Sequence, residues 1–242
     1  MKLRLLTFLL ILVSKSTFAQ QGNEWKMHIG FNRLFLIEKS QSRALLPDFS
    51  TIIDLNYESS RVNVGTNYGI QRAFSISKNK QWRLITGLQY QDFAYDVFAF
   101  SDVNESRIFY SYSNKVSQWD VPLLVSYIMS KGKISFGIDG GILQTVFVNS
   151  NYTVRLDQVP IRNPELLGET NVESNGFVTR PLNKMSAYVA PFARISITDW
   201  LSYEVQPFFR YQSGSTAFSL HGANNNPAFG QWGLNTGLVF KF

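Results

Sequence analysis

From Trp232 to Phe242 the chain alternates strictly. Trp232, Leu234, Thr236, Leu238, Phe240 and Phe242 fall on one side, and Gly233, Asn235, Gly237, Val239 and Lys241 on the other. A period of two sends successive side chains to opposite faces of a β-strand, so this segment has one oily face and one small or polar face. Seven earlier segments repeat the pattern: 24–38, 62–76, 82–98, 117–129, 133–147, 183–197 and 201–212. Beyond the N-terminal segment, no stretch approaches the roughly 18 continuous apolar residues of a membrane helix. Eight strands with an oily face are left to form either a soluble β-fold or a membrane barrel.

The connections between segments decide between them. Links near 77–81, 130–132 and 198–200 are short, whereas 39–61, 99–116, 148–182 and 213–229 are long. Strict short and long alternation predicts an eight-stranded antiparallel up-and-down transmembrane β-barrel, with short periplasmic turns and long extracellular loops. An even strand number places both termini on the periplasmic side. The non-oily face agrees with this. Gly65, Gly69, Gly87, Gly137, Gly141, Gly233 and Gly237 lie there among isolated charges and amides, as a narrow lumen requires. A solvent face in a sandwich or lipocalin-like barrel would carry more Lys and Glu. Only 17% of residues are charged while 15% are aromatic, against roughly 25% charged in a soluble domain. Trp25, Trp82, Trp119, Trp200, Tyr203, Trp232 and Phe242 near strand ends suit interfacial girdles. Arg33 and Arg72 fall on outward faces and need interfacial positions or a bulge.

The expected lumen set is Lys26, His28, Asn32, Gln71, Arg83, Gln89, Gln91, Asp120, Asp139, Arg194, Glu204, Gln206, Arg210, Asn235 and Lys241. The charged members Arg83, Asp120, Asp139, Arg194, Glu204 and Arg210 are read as structural, because buried charges must be paired. One pair follows from parity. A three-residue turn at 198–200 sets Ile197 opposite Leu201, and that register sets Arg194 opposite Glu204.

The first residues, MKLRLLTFLLILV, place two cations before an apolar run that ends at Val13, with Thr17 and Ala19 at −3 and −1 of a tolerable cleavage site. Residues 1–19 are expected to be a secretory signal peptide, leaving 20–242 as the barrel domain. The run is less than half a membrane span of about 20 residues, so an uncleaved anchor fits less well. Removing Lys2, Arg4 and Lys15 leaves 20 basic against 17 acidic side chains, no basic patch for nucleic acid. Absence of cysteine excludes a disulfide framework, a thiolate zinc site, a thiol nucleophile and a lipidated N-terminal Cys.

No catalytic residue, cofactor or metal site is assigned. His28 near the periplasmic end of strand 1 and His221 in the last extracellular loop cannot cooperate. Ser219 beside His221 is a loop neighbour without a nucleophile motif. Asp102 with Glu105, and Glu165 with Glu169, read as solvated loop acids. The loops are the expected working surface. Residues Ala44–Ile53 are unusually apolar, and Leu45, Leu46, Phe49, Ile52 and Ile53 form a candidate partner-contact loop, or a lid over the barrel mouth. The 148–182 link, with Pro160, Pro164 and Pro181, is long enough to imply a role.

The terminal residues Asn235-Thr-Gly237-Leu-Val-Phe240-Lys-Phe242 resemble the β-signal of outer-membrane proteins. The resemblance implies recognition of Asn235, Gly237, Phe240 and Phe242 by the barrel assembly machinery. Gln118-Trp-Asp-Val-Pro-Leu-Leu-Val-Ser-Tyr127, the strand Ser135-Phe-Gly-Ile-Asp-Gly-Gly141 and Thr86-Gly-Leu-Gln-Tyr90 resemble the small PorT-type outer-membrane barrels of the Bacteroidota. Trp119 and Asp120 stand where Leu and Glu are more common. The resemblance implies a bacterial outer-membrane location and offers no catalytic motif. The expected function is a non-enzymatic structural or accessory subunit of an envelope complex for protein secretion, outer-membrane protein assembly or nutrient uptake. Expected partners are outer-membrane lipid and other outer-membrane or surface proteins. A small stand-alone pore is the second reading, and a lipid-modifying enzyme the third.

Overall fold

Alternating β-branched and aromatic residues build strands throughout the described part of the chain. The structure, a computed structural model, describes residues 23–36, 42–45, 52–62, 64–103, 106–130, 132–160, 171–212 and 229–242. Its strands are β1 (Glu24–Leu36), β2 (Ser42–Leu45), β3 (Ile52–Val62), β4 (Val64–Ser75), β5 (Trp82–Val103), β6 (Ser106–Ile128), β7 (Ile134–Pro160), β8 (Asn171–Ser196), β9 (Leu201–Gln212) and β10 (Phe229–Lys241). Every pairing is antiparallel, and pairing of β1 with β10 and of β5 with β6 closes the sheet on itself. β4 and β3 occupy one wall position in succession. β4 pairs with the 83–91 half of β5 and β3 with its 95–100 half. The closed wall therefore has eight strands, while β2 pairs with β3.

The short connections fall where expected, at 76–81, 129–133 and 197–200. Three of the expected long loops are instead largely strand. β5 and β6 pair without a break from Gln89 opposite Asp120 up to Val103 opposite Ser106, and β7 and β8 pair up to Asp157 opposite Asn171. β2 and β3 fill much of 39–61. Where side chains are described, the extended parts of β5, β6 and β7 keep a period of two but reverse its sense. Between Trp82 and Tyr90 the outward positions of β5 are apolar or aromatic except Thr86; above Tyr90 they are Asp92, Ala94 and Asp96, while Phe93 and Tyr95 turn inward and are buried. On β6, Ser113 and Lys115 face out and Ile108 and Val116 face in. On β7 an irregularity between Thr145 and Phe147 leaves both Val146 and Phe147 outside and shifts the phase by one. An oily-face criterion loses the strand at such points although the backbone continues.

The reversal coincides with rings of aromatic side chains. At the turn end, Trp82 packs on Tyr127 (4.6 Å between centroids) and Trp200 on Phe240 (6.4 Å). At the extended end, Tyr68, Tyr90 and Trp119 form a ladder at 4.8 and 5.0 Å, and Phe35 meets Phe209 at 6.0 Å. Trp82 and Tyr90, Trp119 and Tyr127, and Trp232 and Phe240 are each eight residues apart on one strand. That spacing is about 26 Å along a strand and ~20 Å after removing its tilt, which with the rings themselves matches an apolar band of about 25 Å. Arg72 lies outward at the turn-end ring, its guanidinium 5.5 Å from the Trp25 ring and 4.8 Å from the Phe74 ring, an interfacial place for the charge. Arg33 is exposed and aligned with Trp232 at the other ring. Leu123→Arg, midway between Trp119 and Tyr127, is expected to destabilise the barrel by about 2–4 kcal/mol, whereas Ser113→Arg above the ring changes stability by no more than ~0.5 kcal/mol. Urea unfolding in lipid vesicles measures both.

Candidate functional site

Residues aimed into the barrel sort into three layers. Nearest the turn end is an ionic layer of three cations and three carboxylates: Lys26, Arg83 and Arg194 with Glu24, Asp139 and Glu204. Arg194 stands opposite Glu204 in the β8–β9 register, as expected, and its guanidinium lies 2.7 Å from the Glu204 carboxylate and 2.8 Å from Glu24. Glu24 also pairs with Arg83, and Lys26 with Glu204. Lys26 donates to Gln206 (2.6 Å), and Gln206 donates to Asp139 (2.6 Å). Glu24, which joins Arg83 to Arg194 across the lumen, was absent from the expected set. Its parity with Lys26 and His28 was the available signal.

The second layer is apolar. Ile85, Leu124, Leu143, Tyr188, Ala190 and Phe208 form one buried cluster, with Tyr188 stacked on Phe208 at 5.6 Å. The third is ionic again. Arg210, two residues beyond Phe208, reaches Asp120 (2.8 Å), Ser186 (2.8 Å) and Thr145 (3.2 Å). Asp120 also accepts from Gln91 (2.6 Å) and Thr145 (2.6 Å). Above it Asn114 donates to Tyr95 (2.9 Å) and accepts from Ser150 (2.8 Å). All six expected charged lumen residues are thus brought into the two ionic layers. Lys241 lies at the turn-end mouth and donates to Ser196 (3.2 Å). Asn67, Asn114 and Gln118 are further buried lumen residues that sequence reading missed.

His28 is buried in the lumen, aligned with Gly237 on one side and Gly69 on the other. A Cβ at Gly69 would stand 2.8 Å from the imidazole Cε1, so that glycine makes room for the ring. Neither imidazole nitrogen has a hydrogen-bond partner among the described residues. Asp102 is held by Arg107 through bonds of 2.7 and 3.0 Å, which keeps its carboxyl below the usual carboxylate range. Ser219, His221, Glu105, Glu165 and Glu169, together with segment 1–19, lie outside the described residues. So do Leu46 and Phe49, while Leu45, Ile52 and Ile53 are placed on β2 and β3 by backbone alone. In the terminal segment that resembles a β-signal, Asn235 and Gly237 face the lumen side of β10 and Phe240 the turn-end ring.

Removing one member of a buried ion pair strands its partners. Glu204→Ala leaves Arg194 and Lys26 with fewer counter-charges and is expected to lower stability by about 3–5 kcal/mol. Urea titration of the refolded barrel reads the loss, and an unchanged midpoint would mean that the layer is not structural.

Among solved structures, the chain is similar to Neisserial surface protein A (9% identity, 91% of this chain and 97% of that one, TM-score 0.40). It is also similar to the outer membrane protease OmpT from Escherichia coli (10%, 91% and 97%, TM-score 0.39) and to the outer membrane protein OprG from Pseudomonas aeruginosa (10%, 92% and 97%, TM-score 0.37). No family model matches the chain, and no curated protein sequence does. Likeness at this level carries no argument about activity. The assignment as a closed eight-stranded antiparallel barrel rests on the strand pairing itself.

Proposed function

We propose that the chain is a non-enzymatic outer-membrane barrel of the PorT type that serves as a structural or accessory subunit of an envelope complex. In this reading the short turns and both termini are periplasmic and the extended ends of β5–β8 are extracellular. The observation that carries it is the wall itself. β5 and β6 continue 13 residues past Tyr90 and Trp119 respectively, about 40 Å along the strand, whereas β1 ends at Leu36 and β9 at Gln212. The barrel thus raises a one-sided sheet beyond the aromatic ring. The β2–β3 hairpin, with Leu45 opposite Ile52 and Ala44 opposite Ile53, stands at its edge. A hydrogen-bonded platform ending in an apolar hairpin suits protein contact.

The lumen supports a scaffold over a pore, because Arg210–Asp120 and the Glu24–Arg194–Glu204–Lys26 network both cross it. Planar-bilayer recordings of the purified barrel are expected to stay at background; discrete openings would favour a pore. Purification from native outer membranes in mild detergent is expected to yield a defined partner that is lost on Ile52→Asn/Ile53→Asn. Recovery of a lone monomer would count against the subunit role.

A further inference from the structure

The β8–β9 ladder contains a gap. Its register runs from Ala187 opposite Tyr211 to Val189 opposite Phe209, stops, and resumes at Ala193 opposite Val205. The register that aligns Arg194 with Glu204 aligns Pro191 with Pro207 inside this gap. Both prolines face outward, at a level between the aromatic rings, since Pro207 is aligned with Leu234 on β10, two residues from Trp232. The bond from the Ile197 N–H to the Leu201 carbonyl (2.9 Å), with the Ser196 N–H turned instead to Lys133 (2.8 Å), puts 197/201 in phase with the bond-exchanging pairs of this seam. In an antiparallel ladder every second pair exchanges bonds, so 191/207 is another. Proline has no N–H. Both bonds of that pair are therefore missing, and the carbonyls of Pro191 and Pro207 face a partner that cannot donate. On their other sides Pro191 and Pro207 are aligned with Ile138 and Leu234 in ladders that run without a break at that level, so this defect belongs to the β8–β9 seam.

Directly behind the seam lies the apolar layer. Ala190, Phe192, Gln206 and Phe208 are the lumen-facing residues at the gap, and Ala190 and Phe208 belong to the cluster with Ile85, Leu124, Leu143 and Tyr188. Ion pairs close the lumen on either side of it, Arg210–Asp120 toward the extended end and Arg194–Glu204 with Lys26 toward the turns. An apolar molecule arriving along the barrel axis must displace paired charges, whereas one arriving from the bilayer meets a wall without two of its bonds and, behind it, Ala190 between the rings of Phe192 and Phe208, with Gln206 on the turn side. We infer that the β8–β9 seam at Pro191 and Pro207 is a lateral entrance through which a lipid acyl chain reaches the apolar layer of the lumen. The entrance is independent of which envelope complex the barrel joins.

Photo-crosslinking tests this on the intact chain. The refolded barrel is placed in phosphatidylcholine vesicles containing a lipid with a diazirine midway along one acyl chain, irradiated, and its adducts are mapped by mass spectrometry. Adducts are expected on the lumenal Tyr188, Leu143 and Phe208 as well as on the outward Leu123 and Leu234. Pro191→Val/Pro207→Val, which restores both donors, is expected to cut the lumenal adducts at least five-fold and leave the outward ones unchanged. If the double variant does not fold, Pro207→Val alone restores one donor and is expected to cut them at least two-fold. Adducts confined to outward residues would overturn the inference, and lumenal adducts that persist undiminished in the folded variant would overturn the seam as the route.

Discussion

In a bilayer the backbone has no water to bond with, so each N–H and C=O in the wall must find its partner in a neighbouring strand. Closing β1 onto β10 and β5 onto β6 removes the edges that would otherwise leave a row of such groups unpaired. Everything else in the molecule follows from that closure. It fixes an eight-strand circumference, which leaves a narrow interior with room for side chains or at most one slender ligand. It also makes Pro191 and Pro207 conspicuous, because two residues that cannot donate face each other in a wall whose stability depends on donating.

The lumen is organised by the cost of isolated charge. Six ionisable groups near the turns balance three against three, and Arg210 neutralises Asp120 further along. Between them the sequence places Ile85, Leu124, Leu143 and Phe208 at positions that strict polar patterning would give to amides. The result is a plug of alternating character, with its apolar slice at the height where the wall lacks two bonds.

Much of this was readable from the chain because the period of two runs unshifted through the membrane-level part of most strands. Parity alone put Arg194 opposite Glu204, and the same register, carried three residues further, puts Pro191 opposite Pro207. Parity also sorted Lys26, His28, Gln71 and Asn235 into the lumen. What it could not deliver was strand beyond the lipid, since 106–116 and 148–160 keep the alternation but no longer keep the oil on the outside. The irregularity at Thr145–Phe147 compounds this by adding one residue without a compositional mark. The role of Glu24 was hidden for a different reason. At the first position of β1 a carboxylate reads as a strand end, and only the three-dimensional closure brings Arg83 and Arg194 to it.

The reversal of sidedness along β5 and β6 gives the barrel a vertical address. Were the molecule to rise by two residues, Trp82 and Trp200 would be drawn into the hydrocarbon; were it to sink, Asp92, Asp96 and Lys115 would be dragged below the headgroups. Both displacements are resisted along β5 itself, which carries Trp82 at one edge of the band and Asp92 and Asp96 past the other. The tall wall therefore keeps its height above the bilayer as a fixed offset, and whatever it meets there is met at a set distance from the lipid.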